Sequence, residues 1–172
     1  MGKDSSREQF NELLLALDSL KETNIIFTYP NADTDGRIIN SMIDDFVTKH
    51  ADNAIGFISM GHRNYLSALQ FVDGVVGNSS SGLAEAPSFR IGTINIGERQ
   101  SGRLKAESVI DCKPLKRSIM LALKKLYSEE FQKKLKKVVN PYDNGSALEK
   151  IFEVLRSKNI PSNTMKSFYD LK

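Results

Sequence analysis

Residues 73–86 read D-G-V-V-G-N-S-S-S-G-L-A-E-A: a short β-branched run, a turn of small hydroxyl-bearing residues, then the start of an apolar helical pattern. Strand, loop and helix in that order form the repeating unit of a parallel α/β sheet. The same alternation extends in both directions. Upstream, Phe10, Leu13, Leu14, Leu17 and Leu20 recur at helical spacing, and residues 24–29 (N-I-I-F-T-Y) read as a buried strand. A turn-rich stretch over 30–36 leads into a helix carrying Ile38, Ile39, Met42, Ile43, Phe46 and Val47, followed by a strand over 54–59 and a helix over 63–72. Downstream come a helix from about Ser81, strands over 92–96 and 108–111, and a helix over 116–127. Helical pieces near 129–138 and 146–157 flank a breaker cluster, N-P-Y-D-N-G, at 140–145. Strands alternating with helices predict right-handed crossovers and an α/β fold built on a doubly wound parallel sheet, as one domain over residues 1–172.

The chain has 172 residues, 40% of them hydrophobic and 26% charged, which suffices for a buried core. That balance excludes a disordered tail, a collagen-like fibre and a disulfide-stapled miniprotein. One cysteine, Cys112, cannot form an intramolecular disulfide, and no basic start leads into an apolar stretch, so a reducing cytoplasm is expected. No apolar run approaches the roughly 20 residues that span a bilayer, so no membrane partner is expected. The net charge of +3 is unevenly spread: nine Lys/Arg stand between Lys113 and Val139 against Glu129 and Glu130. That segment has little aromatic interleaving, and Ile119, Leu121, Leu123, Leu126 and Phe131 fit core-facing helices with solvated charged faces. Nucleic acid is therefore not expected as a partner.

Ligands of open parallel sheets bind outside the carboxyl ends of the strands. Four loops lie there, at 30–36, 59–62, 78–82 and 97–102. In the third, Asn78-Ser79-Ser80-Ser81-Gly82 enters a helix, where unpaired N–H groups and hydroxyls suit a phosphate or diphosphate. The same residue types are preferred as plain N-caps. The loop is neither a Walker A sequence nor G-x-G-x-x-G. Glu85, one turn on, has the chemistry to accept hydrogen bonds from the vicinal hydroxyls of a ribose, or simply to complement a helix N-terminus. The fourth loop, I-G-E-R-Q-S-G-R over 96–103, sets Arg99 and Arg103 between glycines, a pattern suited to bidentate phosphate contact as well as to a solvated loop. Asn31, Asp33 and Asp35 suit either ligand contacts or Asx turns. His50 and His62 lack metal-ligand spacing, and Cys112 has no adjacent base.

The stretch G-N-S-S-S-G-L-A-E-A-P-S-F, followed by T-I-N-I-G-E-R-Q-S-G-R and V-I-D-C, resembles the C-terminal half of the UDP-N-acetylglucosamine 2-epimerases, and most of all their hydrolysing branch. P-N-A-D at 30–33 with Gly36-Arg37, Y-L-S-A-L at 65–69 and the N-P-Y turn support the resemblance, which runs from near Phe10 to about Leu155. It implies one Rossmann-like half of a GT-B-type two-domain fold. It also implies that Ser79 and Ser80 contact the diphosphate of UDP, with Ser81 and Gly82 completing the loop. Glu85 would hold the ribose, Arg99 the phosphates, Asn31 the sugar or phosphate side, and backbone around Met60 the uracil edge. The implied reaction eliminates UDP from UDP-N-acetylglucosamine and hydrates the glycal to N-acetylmannosamine or a related sugar, without metal or redox cofactor. Its acid/base carboxylates come from the N-terminal domain, which has no counterpart in these residues. The resemblance thus implies no catalytic residue in this chain, an inactive stretch when alone, an N-terminal domain as partner in cis, and a homo-oligomeric parent enzyme. A GT-B glycosyltransferase domain, or a non-catalytic nucleotide-sugar binding module, would use the same serine loop and glutamate.

Overall fold

The computed structural model describes residues 3–30, 36–143 and 145–157. Its elements run α1 Lys3–Leu17, β1 Ile25–Thr28, α2 Gly36–Lys49, β2 Ala54–Phe57, α3 Gly61–Ala68, β3 Gly74–Gly77, α4 Ser81–Ala84, a 3₁₀ turn Ala86–Phe89, β4 Gly92–Ile96, β5 Val109–Cys112, α5 Lys116–Leu126, α6 Glu129–Leu135 and α7 Ala147–Ser157. The chain divides into two compact units, Met1–Tyr142 and Asp143–Lys172, where the sequence suggested one domain. The second unit contains α7, which exposes about half or more of Leu148, Ile151, Phe152, Val154 and Leu155. No helix among the described residues is long and apolar enough to cross a membrane.

Every strand pairing in the first unit is parallel, as the alternation predicts. The expected single sheet is met in part: among the described residues β1 pairs only with β2, and β3, β4 and β5 form a separate three-stranded sheet. One apolar core nonetheless serves both sheets. It joins Leu13, Ala16 and Leu17 of α1 and Phe27, Ile43 and Phe46 beside the first sheet to Ile94, Ile110, Ile119, Leu123 and Leu126 around the second. The sheets are bridged by side-chain packing, and helix α1 touches both α2 and α5.

All five residues of β4 are buried, because helices cover both of its faces. Side chains alternate along a strand, so Gly92, Ile94 and Ile96 share one face and Thr93 and Asn95 the other. On the first face, a Cβ at Gly92 would stand 2.2 Å from Leu126 Cδ1 and 3.0 Å from Phe131 Cε1, so α5 and α6 press directly on the strand backbone. On the second, a Cβ at Gly82 would stand 2.5 Å from Thr93 Cγ2, and the Thr93 hydroxyl donates to the Gly82 carbonyl at 2.8 Å. Both glycines are where they are because a backbone must come close. In α5, Ile119, Leu123 and Leu126 are buried as expected, but Leu121 is 61% exposed. Two residues from Ile119 is about 200° round the helix, so Leu121 falls on the solvent face.

The N-P-Y turn, a loop by its chemistry, is an anchor. Asn140 is buried and its Nδ2 donates to the Ala84 carbonyl at 2.8 Å and to Ser88 Oγ at 2.7 Å, while its Oδ1 accepts from the Tyr142 N–H at 2.9 Å. Tyr142 then donates its hydroxyl to the Leu104 carbonyl at 3.0 Å. Asn140→Ala strands these partners, and thermal or urea unfolding is expected to show a loss of about 1–2 kcal/mol. Asn140→Asp, which keeps the acceptor but loses both donors, is expected to be no better.

Candidate functional site

Parallel pairing of β3 with β4 sets Gly77 opposite Asn95, so the loops that follow the two strands leave the sheet at the same edge. A buried side chain ties them together. Gln100, in the arginine loop and 3% exposed, donates from Nε2 to the Asn78 carbonyl at 2.7 Å. The serine loop and the arginine loop are therefore held beside each other by a contact between residues far apart in sequence. Gln100 Oε1 and Asn95 Oδ1 are buried acceptors without a partner among the described residues.

The helix expected from about Ser81 begins there and is a single turn. It covers only Ser81–Ala84, because Pro87 removes a backbone donor and disfavours helical geometry before it, so the chain tightens into the 3₁₀ turn. A single turn has little macrodipole. Its N–H groups are also largely spent: Gly82 donates to the Ser79 carbonyl, Leu83 and Ala84 to Ser80, and Glu85 to Ser81. What remains for an anion is the exposed pair Ser79 and Ser80. Ser80 has helical φ, ψ of −63° and −23° and makes no side-chain capping bond; Ser79 Oγ accepts from the Ser81 N–H at 3.4 Å.

Ser81 is engaged differently. Its hydroxyl donates to Glu85 Oε2 at 2.5 Å and is hydrogen-bonded to the Tyr65 hydroxyl from α3. Burial holds the Tyr65 phenol above its ordinary pKa; the Glu85 charge adds to that rise and the Ser81 hydrogen bond opposes it. Met60 immediately precedes α3 with helical φ, ψ of −84° and −14°, and its neighbour Gly61 donates its N–H to Ser59 Oγ at 3.2 Å.

The arginine loop turns twice. Gly97 and Gly102 have φ of +75° and +76°, which glycine adopts without a Cβ penalty, and they bracket Arg99. Gly97 donates to the Cys112 carbonyl at 2.9 Å, which pins the loop to the end of β5, and Ser101 donates to the Glu98 carbonyl at 2.9 Å. Arg99 is exposed and has no ion-pair partner among the described residues. Near the end of β4, Asn95 Nδ2 donates to Asp111 Oδ1 at 2.7 Å, and Lys105 Nζ reaches both Asp111 oxygens at 2.8 Å. Partial burial pushes the Asp111 carboxyl up, but Lys105 and Asn95 more than offset this and hold it below the usual carboxylate range.

Ser79, Ser80 and Arg99 thus lie on two tied loops, Ser81, Gly82 and Glu85 in and just after the turn α4, and Tyr65 links α3, the helix after Met60, to Ser81. Asn31, Asp33 and Asp35 lie outside the described residues. Burial, with Asp111 adding negative charge, pushes the Cys112 thiol up to about 11, away from the thiolate that a nucleophile needs. Among the described residues no three His, Cys, Asp or Glu side chains are grouped to hold a metal ion. Sequence reasoning missed Gln100, Asn95 and Tyr65. Only the polar residues themselves, within or beside apolar elements, signalled them.

Parallel strands with a serine turn and an arginine loop at one carboxyl edge define an α/β protein of the GT-B-like kind, matching part of solved UDP-N-acetylglucosamine 2-epimerase structures. The chain belongs to the UDP-N-acetylglucosamine 2-epimerase family, whose model matches residues 1–156. It is 38% identical over 168 residues to GDP/UDP-N,N'-diacetylbacillosamine 2-epimerase (hydrolyzing) of Campylobacter jejuni, covering 97% of this chain and 43% of that protein. It is 35% identical over 176 residues to polysialic acid biosynthesis protein P7 of Escherichia coli, covering 99% of this chain and 44% of that one. Among solved structures it resembles the Neisseria meningitidis UDP-GlcNAc 2-epimerase bound to UDP-GlcNAc, with a TM-score of 0.61, 17% identity, and coverage of 88% and 41%. The chain therefore spans less than half the length of the curated relatives it matches.

Proposed function

We propose that this chain is the UDP-binding half of a hydrolysing UDP-N-acetylglucosamine 2-epimerase. The observation that supports the reading is the Gln100 hydrogen bond to Asn78, which ties the loop carrying the exposed Ser79 and Ser80 to the loop carrying Arg99. In this reading Ser79 and Ser80 donate to the diphosphate, Arg99 supplies the bidentate charged contact, and Glu85 accepts from the ribose hydroxyls. Gly82 lets the loop close on β4, backbone at Met60 meets the uracil edge, and Asn31 lines the sugar or phosphate side.

The reaction removes the C2 proton of the sugar and breaks the C1–O bond, so that UDP leaves and a 2-acetamidoglucal remains. Water then adds its hydroxyl at C1 and a proton at C2 on the opposite face. As the C1–O bond breaks, negative charge grows on the diphosphate. Donors already fixed at that position lower the barrier, because they need not reorganise as the charge develops. Moving the C2 proton needs an acid and a base, and in this reading neither is among Ser79, Ser80, Glu85 and Arg99, whose part is to hold the nucleotide.

Calorimetry with UDP and ADP tests the reading. Measurable UDP binding with a clear preference over ADP is expected. Equal binding of the two nucleotides, or none, overturns it.

A further inference from the structure

We propose that Tyr65 is a positioning residue for Glu85: through Ser81 it fixes the carboxylate in one orientation, leaving Oε1 as the atom that receives the ribose hydroxyls. The inference rests on the UDP-binding reading above and adds to it the part that sets ribose selectivity.

The direction of the chain follows from counting protons. A serine hydroxyl has one proton, and an ionised carboxylate only accepts. Ser81 gives its proton to Glu85 Oε2 at 2.5 Å, so the Tyr65 hydroxyl must be the donor to Ser81 Oγ. The order is Tyr65 to Ser81 to Glu85. It needs a neutral phenol, and half-buried Tyr65 keeps its proton well above neutral pH. Each donor in such a chain polarises the next, so the bond arriving at the carboxylate is strengthened from behind.

Ser81 is the first residue of α4, so no preceding helical turn offers its hydroxyl a carbonyl four residues earlier. Here it reaches forward, because α4 ends at Ala84 and Glu85, with φ, ψ of −109° and −50°, brings its side chain back over the turn. A free glutamate at such a position would have to lose rotamer freedom when it met a ligand. Held by Ser81, it has lost that freedom beforehand, which favours binding. The same arrangement withdraws the Ser81 hydroxyl proton from any phosphate, which leaves Ser79 and Ser80 to that task. It also makes α3 a carrier of both ends of the nucleoside: Met60 lies at its start and Tyr65 one and a third turns later.

The test is a titration of the chain with UDP and with 2′-deoxy-UDP, followed by NMR chemical shifts so that millimolar constants are readable, for the parent, Tyr65→Phe, Ser81→Ala and Glu85→Gln. The parent is expected to prefer UDP. Tyr65→Phe, which removes one oxygen and little volume, should weaken UDP about 3- to 10-fold while changing 2′-deoxy-UDP less than twofold. Ser81→Ala should do the same, and Tyr65→Phe should add nothing in a Glu85→Gln background. Equal weakening of both nucleotides by Tyr65→Phe, or an unchanged preference, overturns the inference and leaves the UDP site standing. A parent that binds UDP without discriminating the 2′-hydroxyl overturns it too. A parent that binds neither nucleotide overturns the inference and the proposed function together.

Discussion

Leu126→Ala is expected to lower the unfolding free energy by about 2–5 kcal/mol, read as a shift in the urea midpoint at unchanged slope. Leu126 is 2% exposed and rests directly on backbone, since a Cβ at Gly74 or Gly92 would stand 2.9 Å or 2.2 Å from its methyl groups. The space left by truncation is walled by strands β3 and β4, which hydrogen-bond to each other and cannot collapse inward. A cavity therefore persists, and its cost adds to the lost burial. The paired test is Gly92→Ala. Alone, the new methyl collides with Leu126 and is expected to cost about 1–3 kcal/mol through overpacking. Combined with Leu126→Ala, the collision is gone and only Phe131 Cε1, at 3.0 Å, remains close. The double variant should thus be less destabilised than the sum of the two by about 1 kcal/mol or more. Strict additivity would mean that α5 does not press on β4 as described.

Arg99→Ala is expected to weaken UDP binding by about 1–3 kcal/mol, roughly 5- to 150-fold, with little change in stability. Its side chain is exposed and has no ion-pair partner among the described residues, so removal strands no buried partner there. Arg99→Lys should recover only part of the loss, because an ammonium is a point charge and cannot match two phosphate oxygens with a planar fork. Calorimetry at two salt concentrations separates the contributions: the defect should shrink as salt screens the exposed contact. An Arg99→Ala variant that binds UDP as tightly as the parent would remove the arginine loop from the proposed site.

Local chemistry made the strands legible. Residues 74–77 and 92–96 sit between glycines or turn formers and are dense in β-branched side chains, and both strands form where the sequence expects them. Helix ends were less legible. The helix expected over 63–72 stops at Ala68, and the helix after the serine loop stops at Ala84, although Pro87 was visible as a breaker. Leu121 was misjudged because apolar character was counted without its phase round the helix. The two loops of the candidate site were picked out by composition. The contacts that hold them in place were not: Gln100 to Asn78, which joins the loops, and Tyr65 to Ser81 and Asn140 to Ala84, which anchor α4, are 22, 16 and 56 residues apart, and such contacts exist only in the folded chain.

The strand order has a kinetic side as well. Pairing β3 with β4 joins Gly74 to Gly92, and pairing β4 with β5 joins Thr93 to Val109, whereas β1 with β2 must join Ile25 to Ala54. Loop-closure entropy grows with the logarithm of the enclosed length, so the last pairing starts about 0.4 kcal/mol behind the others. The advantage is small, but it is reinforced by β4, which gains partners on both edges and both faces at once. Shorter closures are also the quicker ones. The serine and arginine loops are themselves the first links of those two crossovers, so the segment proposed to meet the diphosphate is threaded through the part of the chain whose ends find each other most readily.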